Sequence, residues 1–134
     1  MTVFSDIYRD NRWNGVESMS GPGSGYAPTL YVAQAIEQLV IDINADSVLD
    51  VACGDGYWMP DLPNYVGIDV APEAIALARK RHPGRTYEVS DIRDFPPRPF
   101  DLVIFRDAIH PRIVGLSLVT FTPLGYEIVS SAER

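Results

Sequence analysis

Residues 47–58 read SVLDVACGDGYW, an apolar run that meets an aspartate and then two glycines one residue apart. The run SVLDVA, residues 47–52, is typical of a short buried strand. Gly54 and Gly56 permit positive φ angles and let a ligand approach the backbone closely. The stretch therefore predicts a strand that leads into a binding loop, residues 52–56, called the glycine loop below. The alternative is a strand that ends in a plain turn.

The rest of the chain alternates strand-like and helix-like segments. Further strands are predicted over residues 65–70, 86–92 and 100–108, and helices over residues 28–41 and 72–82, each of which opens on a proline. A short helix is also expected to begin near Asp55, with free N–H groups that favour a carboxylate or a phosphate. This order predicts an α/β fold, a Rossmann-like and mostly parallel sheet with flanking helices.

Aspartates lie at or near the ends of the four predicted strands: Asp50, Asp69, Asp91 and Asp107. Ligands of parallel α/β sheets bind at the carboxyl ends of the strands. Asp69 is placed to accept two hydrogen bonds from ribose hydroxyls. The alternative for Asp69 is a solvated turn residue, or the cap of the helix that opens at Pro72.

The glycine loop does not suit a nicotinamide dinucleotide. The dinucleotide fingerprint has a third glycine where helix and strand pack closely. Met59 stands at that position, after the bulky Tyr57 and Trp58. Asp50, an acid before the glycines, suits an ammonium group better than a diphosphate.

Four segments resemble the successive motifs of class I S-adenosylmethionine-dependent methyltransferases: LDVACGDG, VGIDVAPEAIALAR, VSDIRDFP and FDLVIFRDAIH. The segment IYRDNRWNGVESMSGPGSG also resembles a W-G-x-E-S-x-S-G-x-G-S segment of one subgroup, with Asn14 inserted after Trp13. The resemblance runs from about Ile7 to His110. It implies S-adenosylmethionine as the cofactor and transfer of its methyl group to an acceptor.

The resemblance implies a role for each motif. Asp69 would bind the ribose hydroxyls, with Val70 beside the adenine. Asp91 and Ile92 would flank the adenine, and Asp91 would accept from its exocyclic amine. The methionine part would lie against the remaining motif residues: Asp50, Ala52, Gly54, Gly56, Trp58 and Arg106. Positions that fold over the cofactor are matched by Trp13, Ser20, Gly21 and Ser24.

Methyl transfer from a sulfonium is an in-line displacement, so positioning does most of the work. Aromatic faces favour a cationic sulfur, and the candidates are Tyr26, Tyr57 and Trp58. Asp107 and His110 are the catalytic candidates near the acceptor, and His110 is the plausible base if the acceptor is a hydroxyl. The alternative for His110 is a structural or solvated histidine. The sequence holds no cluster of metal ligands.

Composition restricts the partners of the chain. Its net charge of −7, from 18 acidic and 11 basic residues, disfavours nucleic acid. No apolar run is long enough to cross a membrane. Cys53, the single cysteine, excludes an intrachain disulfide, and a reducing, cytoplasmic compartment follows. A small-molecule acceptor is therefore expected, and Cys53 is expected to be a small buried residue rather than a nucleophile.

The C-terminal segment departs from the family pattern. One domain is expected over residues 1–134, with an N-terminal lead (1–27), a cofactor-binding core (28–110) and an atypical C-terminal hairpin (111–134). The hairpin either pairs beside the fourth strand, pairs with another subunit in a homodimer, or is foreign sequence left by truncation or an altered reading frame. Three functions therefore stay open. The chain is a small-molecule methyltransferase, an inactive or regulatory domain that binds the cofactor, or a domain that binds a different nucleotide or nucleoside.

Overall fold

A computed structural model describes residues 3–21, 24–96, 98–106, 116–122 and 125–130 of the chain. In this part of the chain the helices are α1 (Val3–Asp10), α2 (Tyr26–Asp42) and α3 (Pro72–Arg81). The strands are β1 (Val48–Val51), β2 (Tyr65–Asp69), β3 (Thr86–Val89), β4 (Leu102–Arg106), β5 (Leu116–Thr122) and β6 (Gly125–Ser130). They form one sheet in the order β3-β2-β1-β4-β5-β6.

The four strands β1 to β4, which the sequence predicted, form the parallel part of the sheet. Strand β1 lies between β2 and β4, so that Val51 is opposite Ile68 on one side and Phe105 on the other. Strand β3 pairs in parallel with the outer side of β2. Four carboxyl ends therefore meet at one edge of the sheet, which confirms the predicted Rossmann-like, mostly parallel α/β fold.

The C-terminal hairpin continues the same sheet with antiparallel strands. Strand β5 pairs with β4, with Thr120 opposite Leu102 and Leu116 opposite Arg106. Strand β6 returns alongside β5, with Gly125 opposite Thr122. The predicted pairing of this segment beside the fourth strand is therefore present in the sheet.

One face of the sheet is covered by α2 and α3. Ile36 of α2 and Ile75 of α3 are fully buried against Val48, Leu102 and Ile104 of the strands. Alternate residues of β1 and β4 face this side, as expected where a parallel strand is buried on both faces. Burial of these aliphatic side chains provides the main free energy that holds the helices on the sheet.

The opposite face has a second apolar cluster. Leu49, Val51, Ile68 and Val103 are buried there with Phe100, and Phe95 packs at the side of the cluster. Within the link from β3 to β4, the described residues 90–96 and 98–101 contain no helix, and aromatic side chains cover the sheet there instead.

The predicted helix after the glycine loop is wrong. Residues 52–64, all of which the structure describes, run from β1 to β2 as turns and irregular backbone. Gly56 has a φ of +68°, and Pro60 and Pro63 follow it within two helical turns. Proline removes a donor and disfavours a helical residue before it, so a helix cannot propagate here. Met59, which is buried, packs on the core in its place.

Helix α1 was not predicted, because the lead shows no clear apolar periodicity. It is short, and only Ser5 and Tyr8 are buried. Tyr8 packs against Ala71 and Ala74 at the start of α3, and this contact holds α1 on the domain.

Helix α2 begins at Tyr26, two residues before the predicted start at Pro28. No helix of the described residues is long and apolar enough to span a membrane.

Candidate cofactor site

The carboxyl edge of the parallel strands brings three motif segments together. The glycine loop follows β1, Asp69 is the last residue of β2, and Asp91 comes two residues after the end of β3. The N–H of Ser90 donates to the carbonyl oxygen of Asp69 at 2.9 Å, which ties the second and third segments together. The predicted arrangement of acidic residues along the carboxyl edge of the sheet is therefore present for Asp69 and Asp91.

The glycine loop is built from three residues with left-handed backbone. Ala52, Gly54 and Gly56 have φ angles of +57°, +61° and +68°. The positive φ predicted for the two glycines is confirmed, whereas Ala52 adopts the same conformation with a side chain and at a strain of about 1–3 kcal/mol. The N–H of Cys53 donates to the carbonyl oxygen of Ile68 at 3.0 Å and anchors the loop on β2.

The missing side chains of Gly54 and Gly56 make room for other parts of the protein. A Cβ atom on Gly54 would lie 2.2 Å from Ser20 Oγ and 2.8 Å from the hydroxyl of Tyr8. A Cβ atom on Gly56 would lie 2.7 Å from the hydroxyl of Tyr87. Both glycines are thus required by the packing of the lead and of β3 against the loop.

Asp69 has a buried carboxylate that is oriented by backbone donors. Its Oδ2 accepts from the N–H of Gly54 at 3.0 Å, and its Oδ1 accepts from the N–H of Ala71 at 2.9 Å. An ionised carboxylate has about four acceptor positions. The backbone donors do not use all of them, and the remainder can accept from the hydroxyls of a ligand.

Burial raises the pKa of Asp69 above its usual 3.8, although the N–H groups of Ala71, Gly54 and Val70 oppose the rise. A raised pKa means that the folded protein favours the protonated carboxyl. The corresponding stability is fully present below pH 3.8 and is lost as the pH rises through the folded pKa. At neutral pH the ionised Asp69 therefore costs the unliganded protein some stability.

Asp91 lies next to exposed apolar side chains. Its carboxylate accepts from Arg93 at 2.6 Å (Nη2) and 3.0 Å (Nε), and from the Arg93 N–H at 2.9 Å. The hydrogen bonds from Arg93 lower the pKa of Asp91 to about 2. Val89 and Ile92 on either side are 48% and 41% exposed. Exposed apolar side chains therefore precede and follow the Asp91 carboxylate at the end of β3.

Asp50 lies inside β1, one residue before its end, and is buried. The hydroxyl of Tyr65 donates to its Oδ2 at 2.6 Å. The ring of Tyr65 packs edge-on against that of Tyr87, with centroids 5.7 Å apart. The position of Asp50 beneath the glycine loop is therefore set by the two tyrosines at the starts of β2 and β3.

The lead reaches the glycine loop through Ser20. Its Oγ lies 2.7 Å from the Tyr8 hydroxyl, and the Tyr8 ring meets Trp13 edge-on at 6.1 Å between centroids. Gly21 has a φ of +99° and its Cα faces the Trp13 side chain. The N–H of Ser24 donates to the Gly21 carbonyl at 3.0 Å. The structure therefore brings Ser20 to the loop. Trp13 and Gly21 pack against each other in the same segment, and Ser24 lies three residues further along.

Other candidates lie apart from the loop or outside the described residues. Trp58 is half-buried against the core, and Tyr26 is exposed. The Tyr57 ring already faces a cation, because the guanidinium carbon of Arg81 lies 4.9 Å from its centre. Asp107 and His110 lie outside the described residues, as does the side chain of Arg106 at the end of β4. Val70, by contrast, directly follows Asp69 and is half-buried.

Cys53 is a small buried residue, as expected. Burial raises the pKa of its thiol, and the nearby carboxylates of Asp50 and Asp69 act in the same direction. The thiolate that a nucleophile requires is therefore strongly disfavoured.

Sequence reasoning missed three residues around the loop. Asp55, between the glycines, is buried and binds the lead, and Arg81 and His82 at the end of α3 bind the carbonyl oxygens of Asp55 and Gly56. The Nε2 of His82 lies 2.9 Å from the Gly56 oxygen. Two features of the sequence point to these residues. Asp55 is an acid between two glycines, and Arg81 and His82 belong to a basic cluster at the end of a helix.

The family model described as a methyltransferase domain matches residues 48–114, which is half of the 134-residue chain. The chain therefore belongs to the family of class I S-adenosylmethionine-dependent methyltransferase domains. The cofactor of this family is S-adenosylmethionine. The match includes the glycine loop, Asp69 and Asp91, the residues that the geometry gathers at one edge.

Solved structures of similar fold include DesVI from Streptomyces venezuelae, which is 18% identical with a TM-score of 0.51. The alignment covers 98% of this chain and 82% of DesVI, and it supports the Rossmann-like fold. A structure from work on the conversion of a disulfide bond into a thioacetal group during echinomycin biosynthesis is 28% identical with a TM-score of 0.46. That alignment covers 66% of this chain, which spans only 38% of the other protein.

A third similar structure is SAM-bound CalS10, an amino pentose methyltransferase from Micromonospora echinaspora involved in calicheamicin biosynthesis. It is 19% identical with a TM-score of 0.46, and the alignment covers 98% of this chain and 80% of CalS10. A comparison with curated proteins gave no match.

Proposed function

We propose that this chain binds S-adenosylmethionine at the carboxyl edge of β1, β2 and β3 and transfers its methyl group to a small-molecule acceptor. The observation that carries the proposal is the carboxylate of Asp69. It is buried at the end of β2, oriented by the N–H groups of Gly54 and Ala71, and has acceptor positions to spare. Those positions suit the two neighbouring hydroxyls of a ribose.

The residues at the end of β3 suit the adenine. Val70, Val89 and Ile92 offer apolar contact, and Asp91 offers an acceptor for the exocyclic amine. Arg93 occupies part of the Asp91 carboxylate. The adenine amine would use an acceptor position that Arg93 leaves open, because a carboxylate has about four.

The glycine loop suits the methionine part of the cofactor. We assign this part to Asp50, Ala52, Gly54, Gly56, Trp58 and Arg106, with Trp13, Ser20, Gly21 and Ser24 of the lead covering it. When bound, the cofactor supplies a methyl group activated by its positive sulfur. The residues of the chain would hold that methyl group in line with the acceptor atom and keep water away, and such positioning provides most of the rate enhancement in a displacement.

The acceptor side is proposed from charge and chain position. A net charge of −7 disfavours a nucleic acid acceptor and is compatible with a small molecule. Asp107 and His110, which follow β4, are the proposed catalytic residues, with His110 as the base for a hydroxyl acceptor. A reducing, cytoplasmic location fits the single free and buried thiol of Cys53.

Calorimetric titration tests the cofactor site. S-adenosylhomocysteine, the product of the proposed reaction, should bind the wild-type chain, and Asp69→Ala should weaken binding by about 1–3 kcal/mol because charge-assisted hydrogen bonds are lost. Asp61→Ala is the matched control, since the Asp61 side chain is 97% exposed and pairs only with Arg85 in the described contacts. No binding at millimolar ligand would contradict the proposal.

The pH dependence of binding tests the same contact between Asp69 and the ligand. We expect the affinity for S-adenosylhomocysteine to fall as the pH drops from 7. Because the pKa of Asp69 is raised, this fall should begin at a higher pH than for an aspartate with the usual pKa of 3.8. Asp69→Asn should bind weakly with a flatter pH profile. Tyr8 of α1 and Cys53 of the loop, the titratable groups coupled to Asp69, stay neutral over this range because burial raises the pKa of both.

Two further measurements separate the alternatives. Turnover of S-adenosylmethionine against a panel of small acceptors supports the enzyme, whereas binding without any turnover favours an inactive or regulatory domain.

A homodimer through the hairpin or the sheet edge is the proposed assembly. Gel filtration at micromolar concentration tests it, and the mass of a compact monomer would contradict it.

A further inference from the structure

The glycine loop contains a buried charged residue that the proposed cofactor contacts do not use. Asp55 stands between Gly54 and Gly56 and is 1% exposed. A buried carboxylate is costly unless donors surround it.

Both oxygens of Asp55 are occupied by donors from the lead. Oδ1 accepts from the hydroxyl of Ser18 at 2.8 Å, and Oδ2 accepts from the N–H of Met19 at 2.8 Å. The Ser20 hydroxyl lies at 3.5 Å from Oδ1, and the N–H of Asp55 in turn donates to Ser20 Oγ at 3.3 Å. Three successive residues of the lead are therefore bound to one residue of the loop.

The end of α3 binds the same loop from another side. Nη1 of Arg81 lies 3.3 Å from Asp55 Oδ2 and donates to the Asp55 carbonyl at 3.0 Å. Nε2 of His82 lies 2.9 Å from the Gly56 carbonyl, so it carries the proton of that hydrogen bond. These side chains satisfy carbonyl oxygens that a helix after the loop would otherwise have satisfied.

We propose that Asp55 is the positioning residue of the cofactor site. Its carboxylate fixes the lead across the glycine loop, with Arg81 as countercharge, and so sets the distance between Ser20, Trp13 and the loop over which the cofactor lies. This inference rests on the proposed function. It adds that cofactor affinity depends on a residue that does not touch the cofactor.

The contacts distinguish a positioning role from a ligand role. Ser18, Met19, Ser20, Arg81 and the N–H of Tyr57 at 3.3 Å together take up the acceptor positions of the Asp55 carboxylate. A carboxylate with about four acceptor positions has none left for a ligand. Asp55 therefore acts on the site through the lead and the loop.

Hydrogen exchange without ligand tests the first half of the proposal. In Asp55→Asn the new amide group meets N–H or O–H donors on both sides and cannot accept from all of them. Amides of residues 3–21 should exchange at least about fivefold faster than in the wild-type chain, with exchange in β1, β2 and β4 unchanged. Asp61→Asn, which breaks the exposed pair with Arg85, is the matched control and should leave the lead unchanged.

Calorimetry tests the second half. Asp55→Asn should weaken binding of S-adenosylhomocysteine at least about fivefold, within the usual range of coupling between two sites. Ser18→Ala, which removes one of the same hydrogen bonds from the lead, should shift exchange and affinity in the same directions by less. It provides the test if Asp55→Asn does not fold.

Two results would overturn the inference. One is a folded Asp55→Asn variant whose lead exchanges at the wild-type rate. The other is an Asp55→Asn variant whose lead exchanges faster than in the wild-type chain but whose affinity for S-adenosylhomocysteine is unchanged. If the wild-type chain itself does not bind S-adenosylhomocysteine, the proposed function fails, and the exchange comparison alone decides whether Asp55 holds the lead in place.

Discussion

Two connections flank β2, and they are built differently. Residues 70–85 link β2 to β3 through α3, whose backbone groups pair within the helix up to the N–H of His82, which donates to the Ala78 carbonyl at 2.9 Å. Residues 52–64 link β1 to β2 without a helix. There the carbonyl oxygens of Asp55 and Gly56 accept from the side chains of Arg81 and His82.

The difference shows how a loop can replace a helix. Buried backbone groups need partners, and a helix supplies them locally. A loop obtains them from distant residues, so its shape depends on the lead and on the end of α3. The loop gains left-handed residues that a helix would not allow, and it becomes coupled to the segment that would cover the cofactor.

The largest expected effect comes from Gly54→Ala in the loop connection. The added methyl group would overlap Ser20 Oγ, and alanine at a φ of +61° is strained. We expect a loss of about 2–4 kcal/mol in the free energy of unfolding, measured by urea denaturation. Gly84→Ala, in the turn after α3, is the control, because nothing lies within 4 Å of its added Cβ. Equal stabilities of the two variants would contradict the loop contacts.

The next effect is expected from Tyr65→Phe. This change removes the hydroxyl that donates to the buried Asp50 carboxylate at 2.6 Å under the loop. Hydrogen bonds to charged groups contribute about 1.5–3 kcal/mol, and thermal denaturation should show a loss in this range. Tyr31→Phe on α2 is the control, since Tyr31 is 80% exposed. A Tyr65→Phe melting temperature equal to that of the control would count against this contact.

Arg81→Met should cost about 1–2 kcal/mol, because it removes both the partner of the Asp55 carboxylate and a donor to the Asp55 carbonyl. Partial exposure of Arg81 keeps the effect below that of a fully buried pair. Lys80→Met changes the same charge on the same turn at an exposed position and should have little effect. Chemical denaturation of both variants gives the comparison, and indistinguishable midpoints would show that α3 does not support the loop.

The smallest expected effect has the opposite sign. Ala52→Gly relieves the strain of a φ of +57°, partly offset by the greater entropy of glycine in the unfolded chain. We expect a gain of about 0.5–1 kcal/mol in the free energy of unfolding. Ala35→Gly, at an exposed position of α2, should instead lose about 1 kcal/mol. Destabilisation by both substitutions would argue against the left-handed conformation of Ala52.

The sequence was sufficient for the parts of the fold that depend on local pattern. Apolar runs marked the four parallel strands, and Pro72 marked the start of α3. The loop connection differs from the predicted helix because Pro60 and Pro63 oppose helix propagation after the glycines. Helix α1 has only two buried residues, so its pattern was too weak to recognise.

The candidate site divides in the same way. Asp69 and Asp91 follow strands, so their position at one edge follows from parallel pairing. The contacts of Asp55 with the lead join residues 36 and 37 positions apart, and no local pattern carries that information. Tertiary contacts of this kind emerge only from the folded chain.

The central claim is that Asp69 holds the ribose of S-adenosylmethionine at the end of β2. A crystal structure of the chain with S-adenosylhomocysteine tests it most directly. We predict both ribose hydroxyls within hydrogen-bonding distance of the Asp69 carboxylate, the adenine beside Asp91 and Ile92, and the methionine part over the glycine loop. A ligand whose ribose is bound elsewhere, with Asp69 still facing only Gly54 and Ala71, would contradict the account.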